Sequence, residues 1–163
     1  MKIEVIPVEV KDKSVLRQLI ELYSHDFSEY TKEDVNEHGF YDYPYFDYYW
    51  TDESRHPFFI KVDGSFAGFV LVKNTIDEKA RTIAELFVMR KYRRAKVGKI
   101  AAKQIFSLFK GEWVVKVLNV NAGALPFWRK VIDEYTGGNF CYHPEPTDDW
   151  DGVYYTFNSG AVI

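Results

Sequence analysis

The residues with the clearest chemical potential lie between Arg90 and Lys110. Eight basic residues (Arg90, Lys91, Arg93, Arg94, Lys96, Lys99, Lys103 and Lys110) occur there with no acid among them. They follow a β-rich run, IAELFVM, and lead into an apolar stripe of helical period. A turn that opens a helix leaves its first backbone N–H groups unpaired, and the helix dipole makes that end attractive to phosphate. Gly98 allows close approach of a ligand to the backbone. The turn is not a Walker A loop, because Gly98-Lys99 is followed by Ile100 and the upstream glycine is missing. It also lacks the three glycines of a dinucleotide fingerprint. The chemistry expected is the binding of one phosphorylated ligand at one place.

The elements that must position this turn follow from hydrophobic period and turn residues. Residues 2 to 9 read as a strand, and 11 to 30 carry apolar residues at helical spacing. Pro44 confines any helix in the aromatic stretch GFYDYPYFDYYW to a short one from about Tyr45. Residues 56 to 62 and 66 to 72 are strands joined by Asp63-Gly64, a two-residue hairpin signal. Strands over 81 to 89 and 112 to 120 flank a helix over 96 to 110. A helix from about 122 to 134 ends at Gly137-Gly138, and strands near 139 to 143 and 153 to 157 close the chain. The class is α/β (α+β): one domain over 1–163, a mixed, mostly antiparallel sheet of about seven strands flanked by about four helices.

Composition excludes several other classes. The chain has 163 residues, 47% hydrophobic and 28% charged, which is globular rather than disordered. Its single cysteine, Cys141, excludes a disulfide framework and fits a reducing, cytoplasmic setting. No apolar run is long enough to span a membrane. His25, His38, His56 and His143 have no metal-ligand spacing, so no metal is expected. Residues 26 to 53 hold nine acids against Lys32 alone. With a net charge of −3, this acidic balance argues against a nucleic-acid face, which needs a broader basic surface.

In these residues the chain resembles the GNAT superfamily of N-acetyltransferases. The family motif is a strand ending Leu-x-Val, then Tyr-Arg, then Arg/Gln-x-x-Gly-x-Gly/Ala at a helix start. Here the match is Leu86-Phe87-Val88, Tyr92-Arg93 and Arg93-Arg94-Ala95-Lys96-Val97-Gly98, with Lys96 in place of the first glycine. A second junction, Asn121-Ala122-Gly123-Ala124-Leu125-Pro126-Phe127-Trp128, resembles the family's Asn-x-x-Ala-x-x-Phe-Tyr. The resemblance covers roughly half the chain, from the Asp63-Gly64 hairpin to Phe140.

What it implies is binding of acetyl-CoA as co-substrate. Backbone groups of Phe87 and Val88 would meet the pantetheine arm, and Arg93, Arg94, Ala95, Lys96, Val97, Gly98 and Lys99 the pyrophosphate. Asn121 and Phe127 would lie near the pantetheine end, although Asn121 also reads as an ordinary helix N-cap. The implied reaction is direct acetyl transfer to a primary amine of a small molecule or peptide. Deprotonating a lysine-like amine at neutral pH costs roughly 4 to 5 kcal/mol, so a base is needed. Glu85, just before Leu86, is the candidate, against a plain strand residue. The position that carries an acidic tyrosine in relatives is Trp128, whose indole is no useful acid. Tyr135 is one substitute, as are Tyr142, Tyr154 and Tyr155. The aromatic stretch falls on the acceptor side, where Tyr45, Asp47 and Tyr49 would hold a cationic amine. Packing on the sheet, or a homodimer surface, are the alternatives. Lys96 and Trp128 also fit a non-catalytic module that senses acetyl-CoA or another nucleotide.

Overall fold

The computed structural model describes residues 1–161. Four strands form an antiparallel meander: β1 (Ile3–Pro7), β2 (Arg55–Val62), β3 (Ser65–Asn74) and β4 (Arg81–Val88). Between β1 and β2 lie α1 (Lys13–Thr31) and the single turn α2 (Tyr48–Thr51). After β4 come α3 (Val97–Leu108), β5 (Glu112–Leu118), α4 (Ala124–Thr136), β6 (Cys141–His143) and β7 (Gly152–Asn158). The seven strands make one sheet in the order β1-β2-β3-β4-β5-β7-β6. Seven strands and four helices are the expected mixed, mostly antiparallel architecture. No described helix is long and apolar enough to cross a membrane.

The β2–β3 hairpin turns at Asp63 and Gly64, both at positive φ (49° and 84°). That backbone matches the strand twist, and it explains the Asp-Gly pair. The 11–30 helix begins two residues later than its pattern predicts, behind a 3₁₀ turn at Val10–Asp12. In α3, Ala101, Ala102, Ile105 and Phe106 are buried, whereas Leu108 is exposed. The inner stripe therefore runs through Val97, Ala101, Ala102, Ile105 and Phe106, and leaves out Ile100 and Leu108, which helical spacing also offers. α3 and α4 cover one sheet face around Trp113, Phe106 and Ile132. α1 and the turn α2 cover the other around Leu16, Ile20, Phe69 and Phe87.

Two irregularities prepare the site. Leu71 pairs with Glu85 but Val72 pairs with Ile83, so Ala84 is an extra residue in a β-bulge. The β4–β5 contact is parallel and has one register pair, Arg81↔Trp113. Beyond that pair the two strands separate, and the sheet is split by a widening gap.

Candidate active site

A cleft of about 600 Å³ lies where β4 and β5 part. Its lining includes Leu86, Phe87 and Val88 of β4, the turn residues Arg93, Arg94 and Lys96, and Val97, Gly98 and Lys99 of α3. Asn121, Gly123, Ala124, Phe127 and Lys130 close it from the α4 side, and Tyr23 and Asp26 from α1. Every residue expected at the phosphorylated ligand lines this one cleft except Ala95, which is exposed beside it.

Backbone direction fixes what β4 offers. The Met89 N–H donates to the Ala67 carbonyl at 2.8 Å, toward β3. Polar groups alternate in an antiparallel ladder. Phe87 therefore also spends its N–H and C=O on β3, while those of Leu86 and Val88 face the gap. The expectation that Phe87 offers backbone groups is thus corrected, because Phe87 reaches the cleft with its ring. The Val88 carbonyl accepts the Arg93 Nε at 2.8 Å, so Leu86 and the Val88 N–H supply the open positions. The approach of β3 that uses up Phe87 requires Gly68, where an added Cβ would sit 1.9 Å from the Phe87 oxygen.

The turn is built without the motif glycine. Arg94 and Lys96 both adopt left-handed backbone, with φ of 65° and 64°, and Lys96 is the N-cap of α3. This conformation is the reason for glycine at that place in the motif, and a lysine tolerates it at a cost of about 1 kcal/mol. Lys96 does not close the loop, because its backbone keeps the glycine-like path and its side chain remains exposed. At Gly98 a Cβ would come within 3.4 Å of the Phe127 and Val88 side chains.

Much of the basic block is neutralised within the chain. Asp26 accepts Arg93 at 2.7 Å and Arg90 at 3.0 Å. Desolvation works against its ionisation, but the bonds from Arg93 and Arg90 outweigh that and hold its carboxyl below the usual range. Glu134 of α4 binds Lys103 at 2.9 Å and Lys99 at 3.0 Å. The two lysines hold its carboxyl down at about 2. Arg94, Lys96 and the unanticipated Lys130 are cleft residues with no carboxylate within 4.0 Å among the described residues. The positive charge is therefore a local patch at the α3 N-terminus, not a face.

Asn121 accepts the Ala124 N–H on its side-chain oxygen at 3.3 Å and also lines the cleft. Its helix-capping and ligand-side positions coexist.

Glu85 projects from β4 to the α1 face, where the Tyr23 hydroxyl donates to its Oε2. Desolvation raises the Glu85 carboxyl from its ordinary 4.5 to about 7, against the opposing effects of Tyr23 and the Lys73 charge. Burial and the negative charge of Glu85 push Tyr23 strongly up, so its hydroxyl stays protonated. Burial and Glu85 act in the same direction on Tyr43. Tyr23 was legible only as part of the apolar stripe of α1, and a phenol at a helix position that faces a strand glutamate is the signal that stripe concealed.

Tyr135 is placed away from this chemistry. Its hydroxyl meets Ser107 at 3.1 Å at the far ends of α3 and α4, and its ring packs on Phe106. Trp128 is buried between Phe106 and Phe127. Of the acceptor-side trio, Tyr45 and Tyr49 share a neighbour in Arg55 and Asp47 points elsewhere. Asp47 is exposed and bonded to Lys13 at 2.6 Å, and Tyr49 is 3% exposed. Arg55 lies over the rings of Tyr45 and Tyr49 at 5.2 and 5.4 Å. The faces of Tyr45 and Tyr49 expected to receive a cationic substrate are occupied by the protein's own cation; Tyr49 packs in the core under α1, while Tyr45 and Tyr48 stay half exposed. Among the described residues no three His, Cys, Asp or Glu side chains cluster as metal ligands.

The fold has relatives. Residues 16–132 match the family model described as Acetyltransferase (GNAT) family. No curated protein sequence matches significantly. Among solved structures, an acetyltransferase from Thermus thermophilus is 14% identical, with 97% of each chain covered and a TM-score of 0.68. PaiA N-acetyltransferase from Thermoplasma acidophilum, in complex with coenzyme A, is 16% identical over 97% of this chain and 99% of that one (TM-score 0.63). Aminoglycoside acetyltransferase AAC(6')-Ib, in complex with coenzyme A, is 14% identical over 96% and 95% (TM-score 0.68). The chain belongs to the GNAT family of acetyltransferases.

Proposed function

We propose that the protein transfers the acetyl group of acetyl-CoA to a primary amine, with Glu85 as the base. The observation that carries this reading is one continuous path. It runs from the uncompensated Arg94 and Lys96 at the α3 N-terminus and Lys130 of α4, along the gap-facing Val88 and Leu86, to Tyr23 on the α1 face, whose hydroxyl bonds Glu85. The first part suits a pyrophosphate, the second an extended amide-bearing arm that pairs like a strand, and the third an amine to be deprotonated.

The residues divide the work. Arg93, tied to Asp26 and to the Val88 carbonyl, holds the turn against the end of β4. The Val88 N–H faces the gap, where it donates to the thioester oxygen as charge grows on it. Tyr23 fixes Oε2 of Glu85, leaving Oε1 for substrate. The acceptor arrives as an ammonium and sheds two protons. One passes to Oε1 and on to water, and the other neutralises the departing thiolate, so no protein acid is required. Carbon–nitrogen bond formation and carbon–sulfur cleavage then leave an amide, free CoA and one released proton.

The test is titration calorimetry with acetyl-CoA and with CoA, followed by CoA release with a panel of primary amines. Micromolar binding that Gly98→Trp abolishes, together with amine-dependent CoA release, is the expected result. Absence of binding at millimolar ligand overturns it, and binding without turnover on any amine favours the sensing module.

A further inference from the structure

On the α1 face of the sheet, the helical cover ends at β4. Among the described residues, the apolar cluster under α1 and α2 takes side chains from β2, β3 and β4 and none from β5, β7 or β6. Strand alternation settles which side chains stand on the uncovered part. Trp113, Val115 and Val117 of β5 and Val153, Tyr155 and Phe157 of β7 point into the opposite core, so Lys116 and Tyr154 face the α1 side. Lys116 pairs in register with Tyr154, and Tyr154 with His143. The His143 and Tyr154 rings stack at 4.2 Å and 6°, which makes a flat floor.

Across the gap, Arg55 pairs with Lys73, and Leu71 with Glu85. Counted from the one β4–β5 pair at Arg81 and Trp113, with the bulged Ala84 left out of the count, Glu85 and Lys116 stand at the same height on the two facing edges. Lys73 thus has Arg55, Glu85 and Lys116, from three different strands, as its charged neighbours. Neither Lys73 nor Lys116 has a carboxylate within 4.0 Å among the described residues. Lys73 is half-buried. Burial and then Arg55 push its ammonium pKa down, Glu85 opposes them, and Lys116 adds to the fall.

Arg55 is paired with Asp52 at 3.7 Å, so a bare alkylammonium bound at Glu85 has the two unpaired ammonium groups of Lys73 and Lys116 as its neighbours. An acceptor with its own anion offsets that charge, and it also compensates the desolvated Lys73. Resting on the acetyltransferase reading above, we infer that the acceptor is a primary amine bearing an anionic group a few bonds away, a carboxylate or a phosphate. Lys73 and Lys116 hold the anion across the sheet gap while the amine meets Glu85, and Trp150, whose ring lies 5.6 Å from the Lys116 Nζ, flanks the anion's outer side.

Matched pairs test this: histidine and histamine, tyrosine and tyramine, lysine and cadaverine, and O-phosphoethanolamine and ethanolamine. CoA release is measured with each, and binding of each to the CoA-loaded protein is measured separately. The anionic member of at least one pair is expected to be favoured tenfold or more, in kcat/KM or in affinity. Lys73→Met and Lys116→Met should collapse that ratio towards one, and Lys73→Arg should largely retain it. Preference for the anionic amino acids identifies a carboxylate, and preference for O-phosphoethanolamine a phosphate. Equal or better use of the members that lack the anion, no anion preference in binding, or an unchanged ratio in both Met variants overturns the inference while acetyl-CoA binding stands. Loss of acetyl-CoA binding in the unmodified protein instead overturns the acetyltransferase reading itself.

Discussion

At the scale of single residues, Glu85 carries the sharpest consequence. Its carboxyl is raised by desolvation to about 7, so activity should climb with pH through an inflection near that value. Glu85→Gln should remove the inflection and lower kcat by roughly 10²-fold or more, as a pH–rate profile of kcat/KM will show. The same shift makes a stability statement of opposite sense. The folded state binds the proton more tightly than the unfolded chain, so folding stability falls as pH rises from about 4.5 towards 7 and stays reduced above that. At ~1.4 kcal/mol per pH unit this amounts to about 3 kcal/mol at most, less what the water reaching a half-buried group returns. Glu85→Gln should therefore be more stable than the parent at pH 8, and no more stable at pH 4, in urea unfolding at the two pH values.

Lys96 makes a second residue-scale prediction. Lys96→Gly relieves left-handed strain of about 1 kcal/mol, partly offset by the freedom glycine gains in the unfolded chain. Stability should stay level or rise slightly, while CoA affinity falls severalfold with the lost charge. Lys96→Ala should lose the affinity without gaining stability. Denaturant midpoints and calorimetric titration separate the two. In the sequence, Lys96 reads as a lysine in place of the motif's first glycine. The backbone shows a lysine held in glycine's conformation, a matter of φ that residue type does not reveal.

At the scale of elements, local signals were legible and crossings were not. The Asp63-Gly64 turn, the strand before the basic turn and the helix starts at Val97 and Ala124 follow from neighbours in sequence. The bulge at Ala84 and the alternation that turns Phe87 towards β3 depend on which strand lies alongside, and a single strand's pattern carries neither. For residues 40–50 composition left a cation pocket, packing on the sheet and a homodimer surface all open. Rings and carboxylates together imply a cation pocket, but Arg55 and Lys13 from other elements fill those places. Two glycines, one on a strand and one on a helix, should behave differently for geometric reasons. Gly68→Ala drives a Cβ to 1.9 Å from the Phe87 oxygen, so it should cost more than ~3 kcal/mol and loosen the β3–β4 pairing. Gly98→Ala meets flexible side-chain atoms at 3.4 Å. It should fold nearly as well as the parent and lose mainly CoA affinity, a contrast that thermal unfolding and titration will register.

At the scale of the whole molecule, the sheet order places an antiparallel four-strand block beside a three-strand block, with one register pair between them. The sequence implied the strand count, but not this weak junction, because a parallel contact between β4 and β5 leaves no local turn to read. A ligand lying in the gap supplies pairing that the strands do not. Acetyl-CoA at about 100 times its Kd should add ~2.7 kcal/mol of stability, with the largest gain in amide hydrogen-exchange protection at Leu86, Val88 and the first turn of α4. Protection confined to the α3 turn would contradict this picture. The weak junction also bears on how the fold can be assembled. Each block closes its own ladder, so a chain cut between α3 and β5 leaves two pieces joined by one register pair and by the core around Phe106 and Trp113. Reunited, they would have one seam to find, and the substrate that fills it would act as the splint.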